Sequence, residues 1–219
     1  MWENVGLCTP LILKGRCKLI SHQHKCIFVR ISKSASTSVL NAFKSDATDK
    51  QNGYFGGLHY PIEHYRSQYP KQFDEYFKFG LVRNPWARIH SQHRYLRFIR
   101  KEEYAQCEFT IWLKKCAEAL NTRDEALFGR NRSIFEMHMT NQLDWLTIDQ
   151  KLAVDFVGRF ETLTSDFKIV EESLGIKLML PHSNSSGEFL DYRDSYDDQS
   201  KELVAQWHSK DIEHFDYRF

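Results

Sequence analysis

The sequence lacks three features that each mark a class of protein: paired cysteines, a long apolar run and a strong net charge. Its five cysteines include no Cys-x-x-Cys pair, which argues against a zinc ribbon or a thioredoxin-type site. The apolar run Leu11–Leu13 is too short for a signal peptide or a membrane helix, so we expect a cytoplasmic protein. With a formal net charge of +1, the chain has no overall field that would attract nucleic acid or an anionic membrane.

Metal-binding patterns are also scarce. Ten histidines are present, but close pairs such as His22/His24 and His90/His93 lack a set of partner ligands, so no metal is expected. What the chain does have is apolar material, since 42% of its 219 residues are hydrophobic. This amount suits one core, and we expect a single domain over 1–219 with an irregular segment at 1–25.

The most informative stretch is a short apolar strand followed by small and hydroxylic residues. Ile27–Ile31 predicts a buried strand, and Lys33 follows it at the start of the run Ser34, Ala35, Ser36, Thr37, Ser38. A helix that begins in this run would direct its free N–H groups at a bound anion. The loop has no glycine, so it is not a Walker loop. A Ser/Thr N-cap on an ordinary helix explains the same residues.

Strands and helices alternate along the rest of the chain. Strands are predicted near 18–20 and over 77–82 and 155–158, and helices over 85–101, 108–120, 131–145, 163–174 (with Gly175 as C-cap) and 197–210. Loops are expected over 45–57 and 181–187. This alternation is typical of an α/β fold with a central, mostly parallel sheet flanked by helices. Ligands bind such sheets outside the carboxyl ends of the strands, where Lys33 and Arg83 both lie.

A second group of donors follows the strand 77–82. Asn84 suits an N-cap and Pro85 the first helical position, so Arg83 precedes a helix start. Asn84, Arg88 and Ser91 would share one face of this helix. Arg83 would offer a forked donor to a phosphate, and Ser91 a hydroxyl group. The alternative is an ordinary helix start with Arg88 in a surface ion pair.

The two groups together resemble the sulfotransferases that use 3′-phosphoadenosine-5′-phosphosulfate (PAPS), and most closely the carbohydrate-type branch that includes heparan sulfate 2-O-sulfotransferase. The resemblance runs from about residue 26 to the end. It includes Phe156-Val-Gly-Arg-Phe-Glu161, Leu180-Pro-His-Ser-Asn184, Tyr192 and the closing Asp211-Ile-Glu-His-Phe-Asp-Tyr-Arg-Phe219. It implies a P-loop-like, three-layer version of the α/β fold. The family's usual proline before the lysine is Ser32 here, which removes a stiffening residue but no catalytic group.

The resemblance also implies roles for individual residues. The Lys33–Ser38 loop would hold the 5′-phosphosulfate, with Lys33 at the leaving oxygen. Arg83 and Ser91 would hold the 3′-phosphate, and Arg193 could cover the adenosine end. Because sulfuryl transfer resembles phosphoryl transfer, positioning and electrostatic stabilisation should supply most of the catalysis.

The acceptor hydroxyl requires a general base, and His59 is our first choice because imidazole titrates near working pH. His64 is the second choice, and Glu63 could orient either ring. Arg159 and Glu161 are expected to form a structural ion pair. The acceptor would be the hydroxyl of a glycan or a small molecule. Two alternatives stay open: a non-catalytic relative that binds a nucleotide or glycan, and a P-loop kinase, which needs a Walker loop that this sequence lacks.

Overall fold

The computed structural model describes residues 20–46, 59–99, 106–122, 139–181 and 191–219. At its centre lies a four-stranded sheet with the strand order β1-β2-β3-β6. The four strands are β1 (Ile20–Ser21), β2 (Cys26–Val29), β3 (Phe77–Val82) and β6 (Phe156–Arg159). β1 is antiparallel to β2, and the other neighbours are parallel. Helices flank the sheet, so the expected α/β fold with a central, mostly parallel sheet is confirmed.

The strands end slightly differently from the predicted bounds. All of β2 is buried, as a parallel strand with both faces covered requires. It ends at Val29, because Arg30 and Ile31 have already left the sheet for the loop that follows. β6 begins after Asp155, whose carboxylate accepts a hydrogen bond from the backbone N–H of Lys78 (2.7 Å). The small hairpin of β4 (Thr147–Ile148) and β5 (Lys151–Leu152) was not predicted.

The helices of the described residues are α1 (Ser36–Asp46), α2 (Ile62–Gln68), α3 (Pro70–Glu75), α4 (Pro85–Ile99), α5 (Phe109–Thr122), α6 (Gln142–Leu146), α7 (Leu163–Leu174), α8 (Asp198–Trp207) and α9 (Ser209–Phe215), with a 3₁₀ turn at Tyr192–Ser195. α7 has the predicted bounds, and Gly175 caps it in the left-handed conformation (φ 63°). The predicted helix over 197–210 is confirmed up to Trp207, but it is interrupted at His208, a residue with no exposed surface, and α9 begins at Ser209.

Two helices were not predicted, and one predicted helix is only partly tested. α2 and α3 follow each other over 62–75, where no element was predicted, because neither short segment has two full turns of clear periodicity. The expected helix over 131–145 falls largely outside the described residues, which resume at Met139. The segment 1–19 and most of the expected loops over 45–57 and 181–187 also lie outside them, and residues 45 and 46 belong to α1 instead of a loop.

The buried apolar side chains form two clusters. The larger one surrounds the sheet and contains the stacked pair Phe28 and Phe79, whose ring centroids are 4.9 Å apart. The smaller one joins α4, α5 and α8 around Trp86, Phe109 and Trp112. α4 therefore packs against other helices over its amino-terminal part, where its buried residues lie.

Gly158 gives a test of this packing, because β6 has no room for a side chain there. A Cβ atom at this position would lie 2.7 Å from Cδ2 of Leu81 and 3.1 Å from Cβ of Asp166 on α7. We expect Gly158→Ala to lower the free energy of unfolding by roughly 1–3 kcal/mol, measured by urea denaturation.

Gly175→Asn is the control, because a Cβ atom there meets nothing within 4 Å and asparagine tolerates the left-handed conformation. This variant should lose about 1 kcal/mol or less. A Gly158→Ala protein as stable as the wild type would contradict the close packing of β6 on α7.

Candidate functional site

The loop after β2 has an unusual backbone. Lys33 and Ala35 both adopt positive φ angles, 63° and 57°, although neither is glycine. Such residues cost of order 1 kcal/mol each and persist where the surroundings enforce them. Alternating left-handed residues turn successive backbone N–H groups into one concavity, which is a binding site for anions. α1 begins directly afterwards and directs the positive end of its dipole at the same place.

The hydroxyl groups of this loop point in different directions. Ser34 is fully buried and donates to Oε1 of Gln142 (3.2 Å). Ser36 is buried and accepts from Nε of Arg30 (3.3 Å). Ser38 is buried in α1, whereas Thr37 is exposed in its first turn. Thr37 therefore has the most accessible of these hydroxyl groups, while Ser34 and Ser36 hold the loop in shape.

The turn after β3 lies directly against this loop. Nη1 of Arg83 donates to the backbone carbonyl of Lys33 (3.3 Å), and the guanidinium lies over the ring of Phe160, 4.0 Å from its centroid. Asn84 caps α4 as predicted, because its side-chain oxygen accepts from the backbone N–H of Trp86 (3.1 Å). The two strand ends therefore meet, as expected from the parallel order of the sheet.

Lys33 and Arg83 form a pair of largely buried cations. Burial, together with the charge of Arg83, lowers the pKa of Lys33 to about 8. The pKa of Arg83 is lowered by burial as well, with Glu161 acting in the opposite direction. Neither cation lies within ion-pair distance of a carboxylate of the described residues, and Lys33 Nζ instead lies 4.1 Å from the ring centroid of Tyr95. Two neighbouring cations with no carboxylate of the described residues at ion-pair distance favour the approach of negative charge.

His59 lies near the cations Arg30 and Lys33, and a hydrogen bond defines its tautomer. Its Nδ1 is 2.8 Å from the carbonyl oxygen of Arg30, which only accepts, so Nδ1 carries the proton and Nε2 has the free lone pair. Burial lowers the pKa of His59 to about 4, the hydrogen bond to Arg30 opposes this effect, and the charges of Arg30 and Lys33 reinforce it. The ring is therefore neutral at neutral pH, the state that a general base requires.

The other candidates for this role are arranged differently. His64 stacks on Tyr60 with ring centroids 4.0 Å apart, and burial lowers its pKa. Glu63 pairs with Arg66 (2.9 Å), so within the described residues it orients neither histidine. The carbonyl of Arg30 takes the orienting role that was predicted for Glu63.

Gln142, at the start of α6, connects the two loops. Its Oε1 accepts from the hydroxyl of Ser34 and from the backbone N–H of Arg83 (2.9 Å). Its Nε2 donates to the backbone carbonyl of Arg83 (2.8 Å) and to Oδ2 of Asp211 (3.2 Å). The side chain has no exposed surface. Sequence reasoning missed Gln142, because a glutamine in a helical segment gives no sign of a distant partner.

Asp211 is buried and bonds to Gln142, and the buried Arg88 lies near Asp211. Asp211 accepts from the backbone N–H groups of Gln142 (2.8 Å) and Leu143 (2.9 Å), and so caps α6. Burial raises the pKa of Asp211, and the charge of Arg88 opposes that shift. Arg88 is buried and donates to the carbonyl of Thr140 (3.0 Å), so the alternative interpretation of Arg88 as part of a surface ion pair is wrong.

Phe215 and Tyr217, near the end of the chain, bond to Arg159 and Glu161 at the end of β6. Nη2 of Arg159 donates to the carbonyl of Phe215 (2.7 Å). Glu161 accepts from the backbone N–H of Asn84 (2.7 Å) and from the hydroxyl of Tyr217 (3.3 Å). Among the described residues these two side chains do not pair with each other, so the expected ion pair is wrong. Each one anchors the carboxyl-terminal segment or the α4 turn.

The two remaining predicted ligands lie on the Arg83 side of the site. Ser91 is half-buried on α4, two turns beyond Arg83. Arg193 is exposed in the 3₁₀ turn, pairs with Asp191 (3.1 Å) and lies over the ring of Tyr192. The charges of Arg83 and Arg193 both act on Tyr192, which places the three side chains in one neighbourhood.

This arrangement defines an α/β protein with a pair of cations at the carboxyl ends of its parallel strands and a neutral histidine nearby. The sequence model of the Sulfotransferase family matches residues 18–218, and the chain therefore belongs to the sulfotransferase family. Comparisons with curated proteins and with solved structures give no match.

Two other properties of the described residues bear on the chemistry. No group of three or more His, Cys, Asp or Glu side chains among them is placed to hold a metal ion. None of the helices in these ranges has the length and apolar character needed to cross a membrane.

Proposed function

We propose that this protein transfers a sulfuryl group from PAPS to a hydroxyl group of a carbohydrate. Membership of the sulfotransferase family supports sulfuryl transfer as the reaction. The observation that carries the rest is the pair of largely buried cations, Lys33 and Arg83, with the neutral ring of His59 near Lys33. A donor with phosphate groups at both ends fits two such neighbouring sites.

The residues present suit the charge and shape of PAPS. The concavity formed at Lys33 and Ala35 offers backbone N–H groups, and Arg83 offers a forked guanidinium whose buried Nε has no partner among the described residues. When bound, PAPS would supply the sulfuryl group. The loop from Lys33 to Ser38 would hold its 5′-phosphosulfate, and Arg83 with Ser91 its 3′-phosphate.

Each of the two catalytic side chains has one task in this proposal. Lys33 would stabilise the negative charge that develops on the leaving phosphate oxygen. His59 would accept the proton of the attacking hydroxyl at Nε2, while Nδ1 stays bound to the carbonyl of Arg30. Negative charge bound next to Lys33 would offset the cations that lower the pKa of His59, and so would make the ring a better base.

A carbohydrate acceptor is supported by the motif resemblance and by the side chains near the two catalytic residues. Tyr60 is half-buried next to His59, and Tyr95 is 45% exposed where it covers Lys33. Both rings could stack on the apolar face of a sugar. The assay that tests the proposed function incubates the protein with labelled PAPS and an acceptor panel of glycans, phenols and alcohols. Transfer to a glycan hydroxyl is expected, and transfer to phenols alone would refute the carbohydrate assignment.

The proposed cofactor class predicts a simple binding experiment. By calorimetry, the protein should bind 3′-phosphoadenosine-5′-phosphate (PAP) and should not bind ATP–magnesium comparably. Arg83→Ala should weaken PAP by about tenfold or more, because a charge-assisted, forked contact is lost. Arg66→Ala, a change of an exposed arginine paired with Glu63, is the control. Tighter binding of ATP–magnesium would instead support the kinase alternative.

The proposed roles of Lys33 and His59 also predict the effect of substitutions on turnover. Lys33→Ala and His59→Ala should each lower kcat by a factor on the order of 100 or more, through loss of an electrostatic donor and of a general base. His64→Ala should have a much smaller effect. Normal activity of His59→Ala combined with loss of activity in His64→Ala would transfer the role of base to His64.

The lowered pKa of Lys33 predicts how PAP binding depends on pH. The ammonium form binds the anion, so affinity should be constant below about pH 8 and fall as Lys33 loses its proton above that value. Lys33→Arg should bind PAP with an affinity that stays level to about pH 10, since a guanidinium keeps its charge there. An equal decline in both proteins would show that another group controls the alkaline limb.

A further inference from the structure

We infer that Gln142 is a positioning residue that keeps the Lys33 loop and the Arg83 turn at a fixed separation, so that one two-ended anion can occupy both. The inference rests on the proposed function for the nature of that anion. The physical coupling of the two loops rests on the hydrogen bonds alone. Gln142 itself touches no reacting atom in this proposal, and its effect passes through the loops it holds.

The amide group of Gln142 is fully used. Its oxygen accepts two hydrogen bonds and its nitrogen donates two, which is the full capacity of a carboxamide. The opposite amide orientation is excluded, because the N–H of Arg83 can only donate and its C=O can only accept. Because Gln142 has no exposed surface, its replacement takes a hydrogen-bond partner from Ser34, from both backbone groups of Arg83 and from Asp211.

The contacts are divided between elements that are far apart in the chain. Ser34 belongs to the loop after β2 and Arg83 to the turn after β3, and both bond to the same oxygen atom. Any movement of one loop relative to the other must therefore stretch one of these bonds. The direct bond from Nη1 of Arg83 to the carbonyl of Lys33 is longer (3.3 Å) and uses a flexible side chain, so it constrains the separation less.

Gln142 is itself held in place by Asp211. Asp211 accepts from the backbone N–H and from Nε2 of Gln142, which leaves the glutamine little freedom to move. Asp211 lies on α9, so the carboxyl-terminal helix fixes the spacing of two loops on the sheet through one side chain. This is the arrangement expected of a device that sets a distance, because each of its ends is anchored in a different packed element.

A fixed separation matters for a ligand with two anionic ends. Once one end is bound, the second contact is intramolecular, and its strength depends on whether the second site lies at the right distance. A ligand with one phosphate contacts one loop and does not sense the spacing. Loss of Gln142 should therefore weaken a bisphosphate more than either of the corresponding monophosphates.

The test compares Gln142→Met with Gln92→Met. Gln92 is also a buried glutamine, lies on α4, and has a side-chain oxygen with no partner among the described residues. Affinities are measured for PAP, adenosine 3′-monophosphate and adenosine 5′-monophosphate. In Gln142→Met, the affinity for PAP should fall by about tenfold or more, and the affinity for each monophosphate by about threefold or less. Gln92→Met should change none of the three affinities.

A second readout does not need the cofactor. Amide hydrogen exchange of segments 30–36 and 82–86 should accelerate together in Gln142→Met and in neither segment of Gln92→Met. If Gln142→Met does not fold, Ser34→Ala removes only one side of the bridge. It should accelerate exchange in 30–36 alone and weaken PAP more than adenosine 5′-monophosphate.

The outcomes separate the two proposals. Equal weakening of all three ligands, or unchanged exchange in both segments, would overturn the positioning role of Gln142. A wild-type protein that binds neither PAP nor the monophosphates would refute the proposed cofactor, while joint acceleration of exchange in both segments would still support the coupling.

Discussion

The site depends on one buried amide. Parallel strands bring the Lys33 loop and the Arg83 turn to the same edge of the sheet, but the sheet does not set the position of residues that have already left it. Gln142 does so, because its carboxamide pairs with both loops, and Asp211 pairs with Gln142 from below. The helices that carry these two side chains are therefore part of the site, and α6 also places Trp145 edge-on to His59, with ring centroids 6.4 Å apart.

The same region holds two charges that are costly to bury. Lys33 and Arg83 are held close together and largely away from water, and the backbone at Lys33 and Ala35 is in a conformation that glycine would adopt more easily. Such an arrangement costs the free protein stability, and a bound anion would relieve the repulsion between the cations. Cation, strained loop and helix N-terminus all favour negative charge at one point, which is the general way in which a transferase of charged groups prepares its site before the substrate arrives.

Much of the framework could be predicted from local patterns. The apolar strands, the Asn84–Pro85 helix start and Gly175 as C-cap follow from propensity and capping, which act over a few residues. The predictions that failed depend on partners far along the chain. The break at His208 and the separate anchoring of Arg159 and Glu161 depend on tertiary neighbours that have no signature in the local sequence.

The sequence by itself determined the strand–loop–helix order, the basic and hydroxylic residues at the strand ends, and the family to which they point. These depend on residue type and spacing, and both are written in the chain. Only the tertiary structure decided which hydroxyl groups are turned inward, which nitrogen of His59 is free, and that Gln142 joins two loops whose residues Lys33 and Arg83 are 50 positions apart. The reason is physical: a hydrogen bond depends on the position and direction of both partners, and for residues so distant only the packed fold supplies them.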